Sequence, residues 1–193
     1  MSKICFPKPG NFVYPVPAVL VSCRGKDGQS NLITVAWTGT VCSDPPMAYI
    51  SVRKERASYA ILRESREFVI NLPSRAMARA VDFCGCTTLR KLDKWEATGL
   101  HEGESRMISA PTVEEAPVSI ECRVTQVLPL GSHDMFLAEV VAVQVEERYM
   151  DKKGGFRMEK VDLMAYSHGE YYALGELLGS FGYSVRKRKR EEK

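Results

Sequence analysis

Residues 51–58 combine basic and hydroxyl side chains at the point where a predicted strand leads into a predicted helix. The segment contains Arg53, Lys54, Arg56 and Ser58. Free N–H groups and the positive end of the dipole at a first helical turn attract an anion, and arginine adds paired donors that match phosphate oxygens. The segment therefore indicates a phosphate site. Charged loops between a strand and a helix are also common as plain solvated surface, and the residues alone leave both interpretations open.

A second stretch, residues 34–38, ends a predicted strand with hydroxyls, backbone amides and Trp37 close together. Backbone N–H and C=O groups can bind the polar edge of a flat heteroaromatic ligand while an aromatic wall covers one of its faces. The stretch is therefore a candidate rim for such a ligand. A tryptophan at a strand end also occurs in cores and interfaces, so this interpretation stays open beside the first.

The six cysteines do not form a disulfide framework in a chain of this length, and the sequence has no N-glycosylation motif, so we expect free thiols. Cys84 and Cys86 are the one close pair. The histidines are scattered without ligand spacing, so no metal site is predicted. The pair is open to two interpretations, a redox-active motif or two small residues at a helix end, and the pattern favours the second.

Length and composition set limits for the whole chain. With 193 residues, 45% hydrophobic and 26% charged, the sequence is typical of a single globular domain, which we place at residues 1–185. No stretch reaches the ~20 consecutive apolar residues of a membrane helix, and residues 1–10 lack the apolar core of a signal peptide. We expect a cytoplasmic protein without membrane contact.

Positive charge is concentrated at the end of the chain. The formal net charge is +3, but residues 186–193 alone contribute +4, which leaves the body near −1. A nucleic-acid-binding fold would spread a basic face over the domain, so nucleic acid is not an expected partner. The tail is predicted to be a disordered, solvated terminus, with contact to RNA, a membrane surface or a protein as alternatives.

Strands dominate the hydrophobic pattern. The predicted strands span residues 12–23 with interruptions at prolines, 31–37, 47–53, 68–72, 118–125, 135–145 and 163–166. The alternation over 118–125 predicts one buried and one solvent-facing side. Helices are predicted over 57–65 and over 74–85, the second capped by Ser74. Residues 39–46 are predicted as a long polar loop, and 91–100 as an exposed short helix or lid.

Strands at short intervals with two inserted helices favour a mainly β fold, a closed or nearly closed antiparallel barrel, over a doubly wound sheet. The sequence contains neither G-x-G-x-x-G nor G-x-x-x-x-G-K-[ST] nor G-x-S-x-G. These absences count against dinucleotide-binding domains, P-loop nucleotidases and α/β-hydrolases.

A series of motifs follows in one order along the chain: SNLITVAWTG at 30–39, DPP at 44–46, SVR at 51–53, FVINL at 68–72, FCG at 83–85, LDKW at 92–95 and GSHD at 131–134. In type, order and spacing they resemble the flavin reductase-like family, and in particular its flavoredoxins. The resemblance covers nearly the whole chain.

The resemblance implies an FMN-binding split β-barrel with short inserted helices, usually a homodimer with FMN in a groove near the subunit interface. The isoalloxazine edge would lie along Ile33, Thr34, Val35, Ala36, Trp37 and Thr38. The ribityl and phosphate groups would be held by Ser51, Val52, Arg53 and Ser58. Cys84, Gly85 and Lys94 are further implied contacts. His133 matches a family histidine near the nicotinamide, and a turn histidine that satisfies a backbone group is the alternative.

The implied function is electron transfer through FMN, from NAD(P)H or a protein donor to an acceptor protein, free flavin or metal ion. The residues do not separate a carrier from a reductase. The chain departs from the family pattern at Ala138 and over residues 87–91, so phosphate contacts from Thr88, Arg90 and Lys91 are not assigned. A non-catalytic split-barrel binding module and a pyridoxamine-phosphate oxidase-like enzyme are the alternatives.

Overall fold

The computed structural model describes residues 1–186, so the predicted disordered tail lies outside the described residues except for its first member. Residues 1–186 contain twelve strands: β1 (Val16–Pro17), β2 (Val19–Arg24), β3 (Ser30–Val35), β4 (Thr38–Ser43), β5 (Pro46–Arg53), β6 (Glu67–Leu72), β7 (Glu102–Gly103), β8 (Thr112–Val113), β9 (Val118–Pro129), β10 (His133–Val145), β11 (Met164–Ser167) and β12 (Glu170–Ala173). The helices are α1 (Ala57–Ser65), α2 (Ala78–Cys86) and α3 (Lys94–Thr98). The mainly β prediction is confirmed.

One antiparallel sheet of seven strands forms the body, in the order β3-β2-β6-β9-β10-β5-β4. Its two outermost strands, β3 and β4, are consecutive in the chain and joined by only two residues, and the Ser51 N–H of β5 donates to the carbonyl of Trp37 in that connection at 2.8 Å. The sheet therefore curls until its edges approach. Its interior is a cluster of fully buried side chains that includes Ile50, Phe68 and Phe136.

The prediction of a loop over residues 39–46 is wrong, because most of this segment is β4, which pairs with β5 and is joined to it by a tight turn. β4 is an edge strand with a register shift between Thr40 and Cys42, and such strands tolerate glycine and polar residues. Gly39 lies opposite Tyr49, where an added Cβ would come within 3.3 Å of the Tyr49 ring. Glycine here permits close cross-strand contact.

The segment over 91–100 is also different from its prediction as an exposed helix or lid. Asp93 caps α3 by accepting the Trp95 N–H at 2.8 Å, and the Trp95 indole donates to the Ser30 hydroxyl at 2.9 Å. Lys94 is 3% exposed and Trp95 9% exposed. α3 therefore belongs to a second hydrophobic cluster, between α2 and the outer side of β2 and β3.

Two further predictions need correction. Ser74 precedes a 3-10 turn and makes no side-chain capping bond. The polar side of β9 is not wet at Glu121, which is fully buried and accepts the N–H groups of Arg106 and Met107 at 2.9 and 2.8 Å. The segment between β7 and β8 covers that side, and alternation within a strand cannot reveal such a cover. None of the helices within residues 1–186 is long and apolar enough to cross a membrane.

Candidate functional site

A cleft lies where the end of β3 approaches β5 and the start of β10. Its volume is about 160 Å³, and we call it the central cleft. The β10–β5 register places His133 directly opposite Arg53. Most of the residues singled out from the sequence line it; the full lining is Ile33, Thr34, Val35, Ala36, Trp37, Ser51, Val52, Arg53, Arg56 and His133. The fold thus brings together two sequence segments and a histidine about eighty residues further along the chain.

A smaller recess of about 130 Å³ continues the central cleft through Ile33 and Arg56, which line both. We call it the basic recess. Its other lining residues are Asn31, Glu55, Ala57, Ser58, Thr87, Thr88 and Lys94. α1 begins here at Ala57, so its first free N–H groups lie at the recess. Arg56 and Lys94 line the recess and Arg53 adjoins it, whereas Glu55 is its single carboxylate. This excess of positive charge suits an anionic group.

One buried polar atom of the basic recess lacks a partner. The Asn31 amide donates to the Ser58 hydroxyl at 2.7 Å, while its Oδ1 has no hydrogen-bond partner within residues 1–186. Asn31 is 1% exposed and Ser58 is 1% exposed. Buried acceptors are normally satisfied, so a ligand with a hydroxyl donor fits this position.

Lys94 lines the basic recess, but its ammonium group donates mainly to carbonyls of the protein itself. Its Nζ donates to the carbonyls of Leu32 at 2.7 Å and Cys84 at 2.9 Å. Burial lowers the pKa of this ammonium group. Arg56 likewise donates to the carbonyl of Gly85. Both cations therefore satisfy carbonyls in the last turn of α2 and fix that helix against β3 and α1.

The two cysteines of the close pair have different environments. Cys84 is fully buried and burial raises its pKa to about 11, whereas Cys86 is exposed. Neither forms a disulfide. Burial raises the pKa of Cys23 and of Cys122 to about 12. We refer to Cys23, Cys84 and Cys122 as the buried thiols; as protonated thiols they are poor nucleophiles at neutral pH.

On one side of Trp37 the central cleft opens into a larger cavity of about 630 Å³, the outer cavity. Its lining residues are Gly10, Asn11, Phe12, Val13, Val16, Ala36, Trp37, Tyr49, Ser51, Arg53, Leu130, Ser132, His133 and Met135, with no carboxylate among them. The His133 Nδ1 lies 2.9 Å from the Ser132 hydroxyl. Burial, followed by the nearby Arg53, lowers the pKa of His133, so its imidazole is neutral at pH 7.

On another side of Trp37 lies a cavity of about 430 Å³ with aromatic walls, which also contains Gly85 and Cys86. Tyr166 and Tyr171 of β11 and β12 line it, and Tyr14 contacts both Trp37 and Tyr166 at ring distances of 6.2 and 6.3 Å. Sequence analysis missed these aromatics. The tyrosine-rich stretch around β12 and the tyrosine directly before Pro15 were available signals.

Two of the expected contacts are placed away from the cavities. The Thr38 hydroxyl donates to the Tyr49 carbonyl at 2.7 Å and the residue is 7% exposed. Cys84 is likewise enclosed, and reaches the site only through its carbonyl on Lys94. The remaining candidates line the central cleft, the outer cavity, the cavity with aromatic walls or the basic recess.

Comparison with known proteins gives a consistent result. A family model described as "Flavin reductase like domain" matches residues 11–175. The structure resembles that of flavoredoxin from Desulfovibrio vulgaris (Miyazaki F), with a TM-score of 0.87 and 30% identity, covering 96% of this chain and 100% of the other.

Two further relatives extend this result. An FMN-binding protein from Thermus thermophilus, solved with 1-cyclohex-2-enone, has a TM-score of 0.77 and 25% identity, covering 93% of this chain and 98% of the other. The reductase component of a 4-nitrophenol monooxygenase from Rhodococcus opacus is 26% identical over 126 residues, which are 65% of this chain and 64% of that protein.

Proposed function

The chain belongs to the flavin reductase-like family and has its split-barrel fold, and on that premise we propose that it is an FMN-binding oxidoreductase of the flavoredoxin type. It would pass electrons through the bound flavin from NAD(P)H or a protein donor to an acceptor. One observation carries the proposal: the central cleft joins an anion-suited recess at one end to aromatic cavities at the other.

The basic recess fits the phosphate end of FMN. Arg56, Ser58 and the first N–H groups of α1 provide donors, and Arg53 adds positive charge at the junction with the central cleft. The unpartnered Oδ1 of Asn31 suits a ribityl hydroxyl, which can donate. A non-phosphorylated flavin would leave the cations without a counter-charge, so these residues favour FMN over riboflavin.

The other end of the cleft fits a flat ring system. The backbone of residues 33–37 supplies polar groups for an in-plane edge, and Trp37 supplies an apolar wall. FMN when bound supplies one- and two-electron chemistry, and the protein contributes position and electrostatics. His133, neutral at pH 7, can hold a proton or a hydrogen bond at the mouth of the outer cavity without adding a fixed charge.

The finer assignments are part of the same proposal. We propose a cytoplasmic homodimer with a small-molecule or protein redox partner and with NAD(P)H as one possible donor. The flavoredoxin relative supports a carrier, and the monooxygenase reductase component supports a reductase.

The test begins with the full chain purified without added flavin. Two visible flavin absorption bands that bleach on anaerobic addition of NADPH or NADH would support a pyridine-nucleotide-dependent reductase. Bands that persist until dithionite is added would support a carrier that takes electrons from a protein. A colourless protein that does not bind added FMN would refute the proposal and favour a non-catalytic binding module.

A matched pair of variants tests the location of the site. Thr88→Glu places a negative charge in the basic recess, whereas Thr125→Glu places the same charge on the exposed part of β9. We expect Thr88→Glu to weaken FMN binding at least about tenfold relative to Thr125→Glu, because like charges in a recess cost about 1.4 kcal/mol or more. Equal affinities for the two variants would refute the placement of the phosphate.

A further inference from the structure

The cavity with aromatic walls differs from the other spaces in its charge. Its volume is about 430 Å³, and Trp37, Tyr166 and Tyr171 supply its aromatic surface. Within residues 1–186 a single charged side chain lines it, the carboxylate of Asp82 in α2. The basic recess has the opposite balance, since its cations outnumber its one carboxylate. The two ends of the site therefore suit groups of opposite charge.

The carboxylate of Asp82 is not neutralised by its surroundings. Asp82 is exposed, and it forms no salt bridge in the part of the chain that the structure describes. Its one recorded hydrogen-bond contact is with the thiol of Cys86, a weak donor, at 4.0 Å. Arg79, three residues earlier in the same helix, is not among the lining residues of the cavity. The negative charge is therefore available to a ligand.

The aromatic rings hold one another in place around the cavity. Tyr166 and Tyr171 are directly opposite in the β11–β12 pair, with ring centroids 5.5 Å apart, and Tyr14 contacts both Trp37 and Tyr166. Burial, followed by the charge of Asp82, raises the pKa of Tyr171 to about 12, so its phenol is neutral at pH 7. Neutral aromatic rings attract cations through their electron-rich faces.

We propose that the cavity with aromatic walls binds a small organic cation, with its ammonium group beside Asp82 and its apolar body against the rings. Such a ligand gains from the carboxylate and from the rings, whereas a neutral ligand gains from the rings alone and an anion is repelled. A pyridine dinucleotide carries negative phosphates, which the carboxylate repels. The outer cavity, with no carboxylate in its lining, has no such repulsion, so the two cavities suit different ligands.

The cation site adjoins the space that we assign to flavin. Thr34, Ala36 and Trp37 line both the central cleft and the cavity with aromatic walls. A bound cation would therefore lie beside the ring system of FMN, and this statement rests on the proposed function. Binding of the cation itself does not require flavin. It is measured first on the apoprotein, so that failure of cation binding and failure of flavin binding are separate results.

Tryptophan fluorescence of the apoprotein tests the cation site. Trp37 lines the cavity, while Trp95 is 9% exposed in the second hydrophobic cluster, so a ligand-dependent change reports mainly on Trp37. The probes are benzylamine, which is charged at pH 7, and benzyl alcohol, its neutral counterpart, at constant ionic strength. We expect benzylamine to bind at least about tenfold more tightly than benzyl alcohol. Equal affinities, or no saturable change with benzylamine, would overturn the proposal.

A matched pair of variants tests the role of the carboxylate. Asp82→Asn removes the charge and keeps the shape of an exposed side chain, and Asp44→Asn makes the same change in the exposed turn between β4 and β5. We expect Asp82→Asn to weaken benzylamine at least about tenfold and to leave benzyl alcohol unchanged. Asp44→Asn should match the wild type for both probes. An equal effect of the two variants on benzylamine would contradict the assignment of Asp82.

The aromatic walls are tested by Tyr171→Leu, which keeps an apolar side chain and removes the ring. We expect the preference for benzylamine over benzyl alcohol to fall at least about threefold. The affinity for benzyl alcohol serves as the internal measure of whether the cavity is still formed. An unchanged preference would mean that the ring does not contribute to cation binding, and would overturn that part of the proposal.

Two further titrations identify the occupant. Nα-acetyl-lysine methylamide presents an ammonium group as a protein side chain does, and tighter binding of this probe than of benzylamine would replace the small molecule by a lysine of a partner protein. Benzylamine should keep its affinity within about threefold when the chain is loaded with FMN. Loss of benzylamine binding on FMN addition would mean that the flavin fills this cavity, and would refute the cation site. If the chain does not bind FMN, the proposed function fails, while the apoprotein titration still decides the cation site.

Discussion

Lys94 offers a quantitative test of how the basic recess is built. The residue is 3% exposed, and its ammonium group donates to two backbone carbonyls, those of Leu32 in β3 and Cys84 in α2. Lys94→Met keeps the length and apolar stem of the side chain and removes the donors. The change therefore separates the hydrogen bonds from the packing.

The expected loss follows from those two bonds. A buried acceptor left without a partner costs about 1–3 kcal/mol, so two would cost about 2–6 kcal/mol. Removing the buried ammonium also removes its desolvation penalty, the same effect that lowers its pKa, and this offsets part of the loss. We expect the free energy of unfolding to fall by about 2–4 kcal/mol.

Equilibrium urea denaturation of the apoprotein, followed by circular dichroism and tryptophan fluorescence, measures this loss. With a slope of about 2 kcal/mol per molar urea, the midpoint should fall by about 1–2 M. Lys91→Met, an exposed position just before α3, is the matched control and should stay within about 0.5 kcal/mol of wild type.

A result for Lys94→Met equal to that of Lys91→Met would refute the reasoning, since it would mean that the two carbonyls find other partners or water. A large loss of FMN affinity without loss of stability would also contradict it, and would assign Lys94 to the ligand rather than to the scaffold. If Lys94 supports the fold rather than the ligand, its replacement lowers the free energy of unfolding, and any loss of FMN affinity is a consequence of that loss.

Three other outcomes are expected. Tyr59→Phe removes a hydroxyl that donates to the buried Asp134 carboxylate at 2.5 Å, and should lower the free energy of unfolding by about 1.5–3 kcal/mol in the same urea assay. Each buried thiol has a raised pKa in the folded protein and its usual pKa of 9.0 in the unfolded chain. Above pH 9 the unfolded state therefore releases protons that the folded state keeps, so the free energy of unfolding should fall as the pH rises towards 11 or 12. At pH 10 the loss is about 1.4 kcal/mol per thiol, measured by urea titration across pH. Ser58→Ala removes the partner of the Asn31 amide as well as a hydroxyl of the basic recess, so it should weaken both flavins, and FMN at least about tenfold more than riboflavin, by fluorescence titration; an equal loss for both flavins would argue against a phosphate contact.

Local sequence patterns were sufficient to predict much of the secondary structure and the family of this protein. The β-branched runs and turn residues gave most of the sheet strands, and the i, i+3, i+4 spacing placed α1 at Ala57–Ser65, the bounds that the structure has. The motifs around Trp37 and Arg53 were sufficient to predict the family and the split barrel, both of which are confirmed. Hydrophobic periodicity and short motifs depend on neighbouring residues, which a sequence displays directly.

Only the tertiary structure decided which polar residues are enclosed. Lys94 and Glu121 look like surface residues in the sequence, yet each is buried because distant backbone groups supply its hydrogen bonds. β4 forms from a loop-like sequence because β5 offers it a partner, and His133 reaches Arg53 because their strands pair in that register. Except for the β4–β5 hairpin, these are contacts between residues far apart in the chain, and the free energy of all of them depends on the assembled fold rather than on any local pattern.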